Sequence, residues 1–359
     1  MSGRTKNKSA AWIAGTGEAG PLSEDERSIP EMVLVAVEAA LEDAGLGFDD
    51  INAVVTASVD LFDGLTASNV AVTEVVGAVM KPETRVAADG LCAAIHAVCQ
   101  IHAGAYDTVL VVAHGKASMA SYEQLTPWAM DPVYLQPVGV NFLVCAGLQA
   151  HAVAEGDETA ERAWAELAAQ RRRDAARQRV APPLTAEEVL DSPVVASPLR
   201  RGMCAPTADG ACAVVLRGQE RDGSAHGPFV TGVGYDLSPH APGDRDLTEW
   251  EGLRRACDRA YGMARLTDPA TAFDLLEPSC LYTHEEWLFA SASRLGAGTT
   301  ISPGGGLFAG AVPVAAGLSR LVAADRWLRK QGGPRRALVH GTWGPAGQGQ
   351  AVTVLEAAA

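Results

Sequence analysis

RVAADGLCAAIHAVCQIHAGAYDTVLVVAHGKASM, residues 85–119, decides the fold. It reads in three parts. RVAADG is a short apolar run broken at Asp89-Gly90, a dipeptide that favours a tight strand-to-helix turn. LCAAIHAVCQIHAG sets Leu91, Ile95, Val98 and Ile101 at a helical period and stops at Gly104, in the C-cap position. TVLVVA is then a continuous apolar run, as a strand buried on both faces requires. Strand, turn, buried helix and buried strand make half of a doubly wound unit, whose turn at the helix N-terminus is where a reactive group is held. In residues 87–90 that place begins with alanine, which has no chemistry.

Upstream, AWIAG (11–15) reads as a short strand followed by the loop TGEAGPLSEDERS. Ser28, Pro30 and Glu31 form a capping-box pattern that opens a helix ending at Gly45. INAVVTA (51–57) is the second strand, and Ala67–Val79 reads as a buried helix. Downstream, a loop rich in Pro and aromatics leads to a helix in VNFLVCAGLQAHAVAEG (140–156). Glu158–Arg179 is a charged helix whose RRRD cluster (171–174) reads as a solvated face, with contact to phosphate groups as the alternative, and TADGACAVVL (207–216) repeats a D-G turn before an apolar strand.

From Phe229 the pattern starts over. Strands are expected at 229–235, 273–277, 336–340 and 350–356, and helices at 247–261, 284–294 and 312–328, with a glycine-rich turn at Ser302–Leu307. Buried strands end alike in Ala113-His114-Gly115 and Val339-His340-Gly341. The repeat predicts two βαβαβ halves, 1–222 (with an inserted loop and helical region at about 120–200) and 223–359. Their small-residue central helices would be buried between two sheets.

Bulk properties narrow the function. The chain has 359 residues, 48% hydrophobic and 20% charged, enough for a sizeable core. A net charge of −14 argues against nucleic-acid or anionic-membrane partners. No apolar run is long enough to span a bilayer, and the polar start is unlike a signal peptide. Seven cysteines without metal-ligand spacing suggest reduced thiols in a cytoplasm and no bound metal.

Three further stretches carry a resemblance: EAALEDAGLGFDDINAVVTA (38–57), SPLRRGMCAPTADGACAVVL (197–216) and SPGGGLFAGAVPVAAGLSR (302–320). With residues 85–119, their order and spacing resemble the thiolase superfamily, most closely thiolases of the sterol-carrier-protein X and lipid-transfer type. The resemblance implies the α/β thiolase fold, two βαβαβ halves packed as a five-layer αβαβα sandwich. It also implies a nucleophilic cysteine at the N-terminus of the buried helix, where the helix dipole favours a thiolate.

Cys92 is the obvious candidate. Yet counting about seventeen residues back from Gly104, as the family's pattern requires, reaches Ala87, with Asp89-Gly90 at the Ser-Gly pair. Cys92 and Cys99 then read as small buried hydrophobes. The second functional position, a His or Asn, falls on Ser279 in Glu277-Pro278-Ser279; the third, a Gly-His-Pro histidine, on Val312 in Ala311-Val312-Pro313. The fourth, a cysteine, finds only Thr342-Trp343-Gly344. Relatives that lost the cysteine and act as retro-aldolases use tyrosines at the second and third loops, where this chain has Ser279 and Ala311 or Val312. Tyr282 reads as core and Trp343 as a partial plug of the acyl channel; His284 with Glu285–Glu286 offers an acid/base pair, against the blander reading of a helix N-terminus with solvated carboxylates.

The resemblance thus leads first to a thiolase-like chain without the Cys-His-His set. Such a chain would be a non-catalytic or site-completing subunit of a complex that makes or breaks C–C bonds in acyl thioesters. The alternative is an active enzyme with rewired chemistry on an acyl-CoA, an aldolase or acyltransferase; a third reading is an acyl-CoA binder without turnover. If the chain is active, Ser279, His340 and His284 are the candidate groups, with backbone N–H donors near Ala87 and Gly306. Ser302, Gly305 and Gly306 are candidates for binding a coenzyme A thioester. The implied partners are a second copy, an intact thiolase or ketosynthase, and a small zinc-ribbon and OB-fold protein that binds acyl-CoA.

Overall fold

The first strand runs well past the glycine expected to end it. In the computed structural model, which describes residues 10–155, 157–175, 180–218, 226–296, 298–330 and 335–358, β1 spans Ala11–Leu22. The TGEAGPL stretch is therefore strand, not loop. Its glycines are needed for close approach: a Cβ at Gly15 or Gly17 would lie 2.3 or 2.1 Å from the carbonyl oxygens of Ala40 or Ala36. Those carbonyls belong to α1 (Ile29–Ala44), which has the expected capping box, Ser28 N–H donating to Glu31 Oε2 at 2.7 Å, and Gly45 in left-handed backbone at its end.

The N-terminal half continues with β2 (Ala53–Ala57), β3 (Glu83–Val86), α2 (Gly90–His102) and β4 (Thr108–Lys116). The longest inserted helices, α3 (Phe142–Val153) and α4 (Ala160–Asp174), precede β5 (Asp209–Gly218), with shorter ones at Tyr122–Leu125 and Ala186–Asp191. The end expected for α4, residues 176–179, lies outside the described residues. The helix expected at 67–79 is not formed: only Ser68–Ala71 makes a 3-10 turn. That stretch is rich in β-branched residues and Gly77 takes a φ of 65°, both unfavourable for helix.

The C-terminal half runs β6 (Phe229–Leu237), α5 (Glu251–Met263), β7 (Leu275–Glu277), α6 (Thr283–Ser293), β8 (Thr300–Ile301), α7 (Ala316–Lys330), β9 (Arg336–Trp343) and β10 (Gly349–Glu356). Helix α7 starts four residues later than expected, because Val314 takes a φ of 67° and breaks the helix upstream. The junction expected at 222/223 lies outside the described residues.

The strand order is β3-β2-β4-β5-β1 in one half and β8-β7-β9-β10-β6 in the other. Position by position these are the same order, with parallel and antiparallel neighbours matched. The halves join edge to edge where β1 meets β6 through Ala11–Val230 and Trp12–Phe229. In β6, Gly232 and Gly234 lie against the α5 carbonyls of Ala260 and Ala256, repeating the contact of β1 with α1.

Alternate strand residues separate the layers. Trp12, Val54, Leu110 and Val215 pack on α1. Ile13, Val55, Val111 and Leu216 face the other way, onto α2 and α7, which also take Leu275, Val339 and Leu355 from the second sheet. Leu276, Leu338 and Val354 cover α5 and α6. The result is the expected five layers, with α2 and α7 in the middle. Cys92 is buried as expected, but Cys99 is exposed, on the face of α2 turned from the core.

Candidate functional site: a cavity at the start of the central helix

Asp89 is the N-cap of α2, and its Oδ1 accepts from Leu91 N–H at 2.8 Å. Its Oδ2 accepts from Gly317 N–H at 2.8 Å, on the first turn of α7. One carboxyl group therefore caps both central helices, one from each half. It is 2% exposed, and glycine at 317 and 341 leaves the room: a Cβ there would lie 2.1 or 2.5 Å from Oδ1. Burial pushes the Asp89 pKa up to about 7, against the opposing pull of the Gly317, Leu91 and Gly90 amides.

Asp89 lines a cavity of about 870 Å3 drawn from both halves. Ala87, Ser279, Ala311, Pro313 and Thr342-Trp343-Gly344 line the same cavity, so stretches far apart in sequence meet there. Val312 does not. It turns into the core between the sheets and toward a smaller cavity of about 250 Å3, leaving Ala311 and Pro313 to face the site. Ser279 is 1% exposed and its hydroxyl has no hydrogen-bond partner.

The two candidate histidines lie away from the cavity. His340 is fully buried, its Nδ1 accepting from Ser279 N–H at 3.3 Å and its Nε2 2.7 Å from Gln350 Oε1. Burial pushes its pKa down to about 4. His284 is also fully buried, 3.2 Å from Gln149 Oε1, and burial pushes it down to about 3. His114, buried at the matching place in β4, pairs with Asp63. Gly305, Gly306 and Ser302 do not line the cavity: Gly305 packs on the α4 backbone, and Ser302 donates to Glu277. The N–H donors expected near Ala87 are largely occupied, since Gly90 N–H donates to Val314 O and Cys92 N–H to Asp89 O. The Cys92 thiol is pushed well above its ordinary value by burial and by the Asp89 charge, and it does not face the cavity.

Several lining groups were not singled out by the sequence or were read there as blander than they are. Glu285, expected to be solvated, is 3% exposed and faces the cavity. Its Oε2 accepts from Leu281 and Tyr282 N–H at 2.7 and 3.1 Å, and burial pushes its pKa up to about 8. Tyr122 stands between the rings of Phe62 and Phe142, and its pKa is raised by burial and by the charges of Asp89 and Glu285. Tyr282, expected in the core, also lines the cavity. Arg172, expected on a solvated helix face, is 6% exposed and lines it too. The signals were weak: Asp89 and Glu285 look like ordinary helix caps, and nothing in their spacing announces burial.

The five layers, the matched strand orders and the cavity at the N-terminus of α2 can be set beside known structures. The chain overlays on the peroxisomal thiolase of Saccharomyces cerevisiae with a TM-score of 0.77, at 15% identity, covering 99% of each chain. The chain has the thiolase fold. The Ltp2–ChsH2 aldolase shares this fold at a TM-score of 0.77 and 20% identity, covering 97% of this chain and 98% of that one. A monomeric SCP2-thiolase like protein from Mycobacterium smegmatis does so at 0.75 and 20%, over 97% of this chain and 77% of that one. In sequence, the acetyl-CoA acetyltransferase of Methanothermobacter thermautotrophicus is 26% identical over 342 residues, covering 86% of this chain and 88% of that protein. No family model matches. Among the described residues, no His, Cys, Asp or Glu cluster could hold a metal, and no helix is long and apolar enough to cross a membrane.

Proposed function

We propose that this chain makes or breaks a carbon–carbon bond next to the carbonyl of an acyl thioester, by acid–base chemistry and without an acyl-enzyme. The observation that carries the reading is a pair of nearly fully buried carboxyl groups, Asp89 and Glu285, facing one cavity, neither paired with a cationic side chain among the described residues. Their pKa values, about 7 and about 8, put a usable base and a usable acid at neutral pH. In the cleavage direction, Asp89 takes the proton of a β-hydroxyl and the Cα–Cβ electron pair passes to the thioester enolate. The freed β-carbon becomes a carbonyl, and Glu285 gives its proton to Cα. Tyr122, Tyr282 and Ser279 line the same cavity, and in this reading their hydroxyls hold the thioester oxygen or the β-oxygen. Support comes from the fold shared with the Ltp2–ChsH2 aldolase, and from a human thiolase with this fold that was solved with coenzyme A.

A second reading, a subunit that completes a partner's site, is favoured by one fact: alanine stands at 87, where the resemblance calls for a nucleophile. Incubating the purified chain with a β-hydroxyacyl-CoA and following aldehyde or ketone release decides between them. Release by the chain alone is expected. Release only after adding a co-purifying thiolase or zinc-ribbon and OB-fold protein would hand the chemistry to the partner.

A further inference from the structure

Arg171 and Arg172 are neighbours on α4 and similarly buried, at 5% and 6% exposure, but among the described residues only the first has an anion. Arg171 Nε and Nη2 each lie 2.8 Å from a Glu286 oxygen, a bidentate pair. Arg172 forms no ion pair among the described residues. Its Nη2 reaches the carbonyl oxygens of Cys204 at 3.3 Å and Gly202 at 3.5 Å, both long, and its buried Nε has no acceptor. The Phe308 ring lies under the guanidinium at 5.7 Å. A buried charge without a counter-ion is strongly disfavoured, and the described residues supply none here. The other arginine lining the cavity, Arg201, is already held by Glu123.

We infer that Arg172 receives a carboxylate carried by the acyl group of the ligand, so that the substrate is an acyl thioester with a second, acyl-borne negative charge. This rests on the reading of the cavity as an acyl-thioester site. The phosphates of coenzyme A are the other source of negative charge, but they bring several hydrated charges together. Of the two guanidinium groups that line the cavity, only that of Arg172, over the Phe308 ring, has no ion pair among the described residues, which suits a single planar carboxylate bound by its two oxygens.

Calorimetric titration of the full chain tests this with pantetheine thioesters, which lack the nucleotide phosphates. Butyryl, hexanoyl and octanoyl thioesters are compared with succinyl, adipoyl and suberoyl thioesters of the same length, alongside coenzyme A itself. At least one dicarboxylic thioester is expected to bind about ten- to hundredfold more tightly than its neutral analogue. Arg172→Gln should bring it down to the analogue's affinity, with coenzyme A bound as before. Equal affinities within every pair in the wild-type chain would overturn the inference without any variant. A matching loss of coenzyme A affinity in Arg172→Gln would overturn it in favour of a phosphate. Failure of every thioester to bind would remove the acyl-thioester reading itself, a result distinct from lost selectivity.

Discussion

The two halves of the molecule share a strand order, yet they differ where the cavity is built. After β2 the N-terminal half makes a one-turn helix (Asp60–Asp63) and a short 3-10 turn before β3, whereas after β7 the C-terminal half builds the eleven-residue α6, which carries Glu285 to the cavity. The central helices differ in the same way. Helix α2 opens on its own Asp89; α7 follows AVPVA (311–315), has no carboxyl there, and takes its cap from Asp89 across the interface. The repeated topology supplies the frame, and the ionisable groups sit where the repeat is broken.

That contrast can be broken most directly at Asp89. Asp89→Asn keeps the size of the side chain but cannot take up a proton. It is expected to lower turnover of a β-hydroxyacyl-CoA by about a thousandfold, measured as kcat/KM. Near-normal activity would separate the broken symmetry from the chemistry. Glu285→Gln should cost roughly a hundredfold while the fold survives, because its amide oxygen can still accept from Leu281 and Tyr282 N–H.

The pH profile sharpens the assignment of roles. With Asp89 ionised above about 7 and Glu285 protonated below about 8, kcat/KM should be bell-shaped with limbs near those values. Glu285→Gln should remove the alkaline limb. Stability should move in one direction. Both folded pKa values lie above those of an unfolded carboxyl, so the folded state holds protons that the unfolded state has released. Their contribution is present near pH 4 and lost as pH rises through about 7 and 8. Urea titrations should show Asp89→Asn flattening the lower part of that decline.

Smaller effects follow. Asp89→Ala leaves the Leu91 and Gly317 amides without their acceptor and is expected to cost about 2–3 kcal/mol of unfolding free energy at pH 6. Its counterpart is Ser279→Ala, which removes a buried hydroxyl that has no partner and should change stability by less than about 1 kcal/mol. A large loss of stability there would reveal a partner for the Ser279 hydroxyl. His340→Ala should act on folding, not on pH dependence, since that ring packs between Trp250 and Phe289 inside the core.

The frame was legible because it depends on periodicity. Residues 85–119 announced strand, turn, helix and strand, and each formed close to its expected bounds. The failures came where local pattern competes with packing. TGEAGPL reads as a loop until its glycines are seen to let a strand lie on a helix backbone, and Ala67–Val79 has helical spacing but β-branched residues that turn instead. The site was half legible. Counting residues led to Ala87 and Ser279, which do line the cavity; Val312, His284 and His340 do not. Asp89 was hidden, and for Glu285 and Arg172 the solvated reading outweighed the functional one, because helix caps and a solvated helix face use the same residue types. Whether such a side chain meets water or another helix is set by elements far away in the chain.

Ala87 has a kinetic consequence. A methyl group on the wall of this cavity cannot hold an acyl group between two half-reactions, so no product can leave before the second substrate has arrived. Initial-rate plots of a condensation run in this cavity should intersect, as for a ternary complex, and the acyl chain should stay on the same carrier from start to finish.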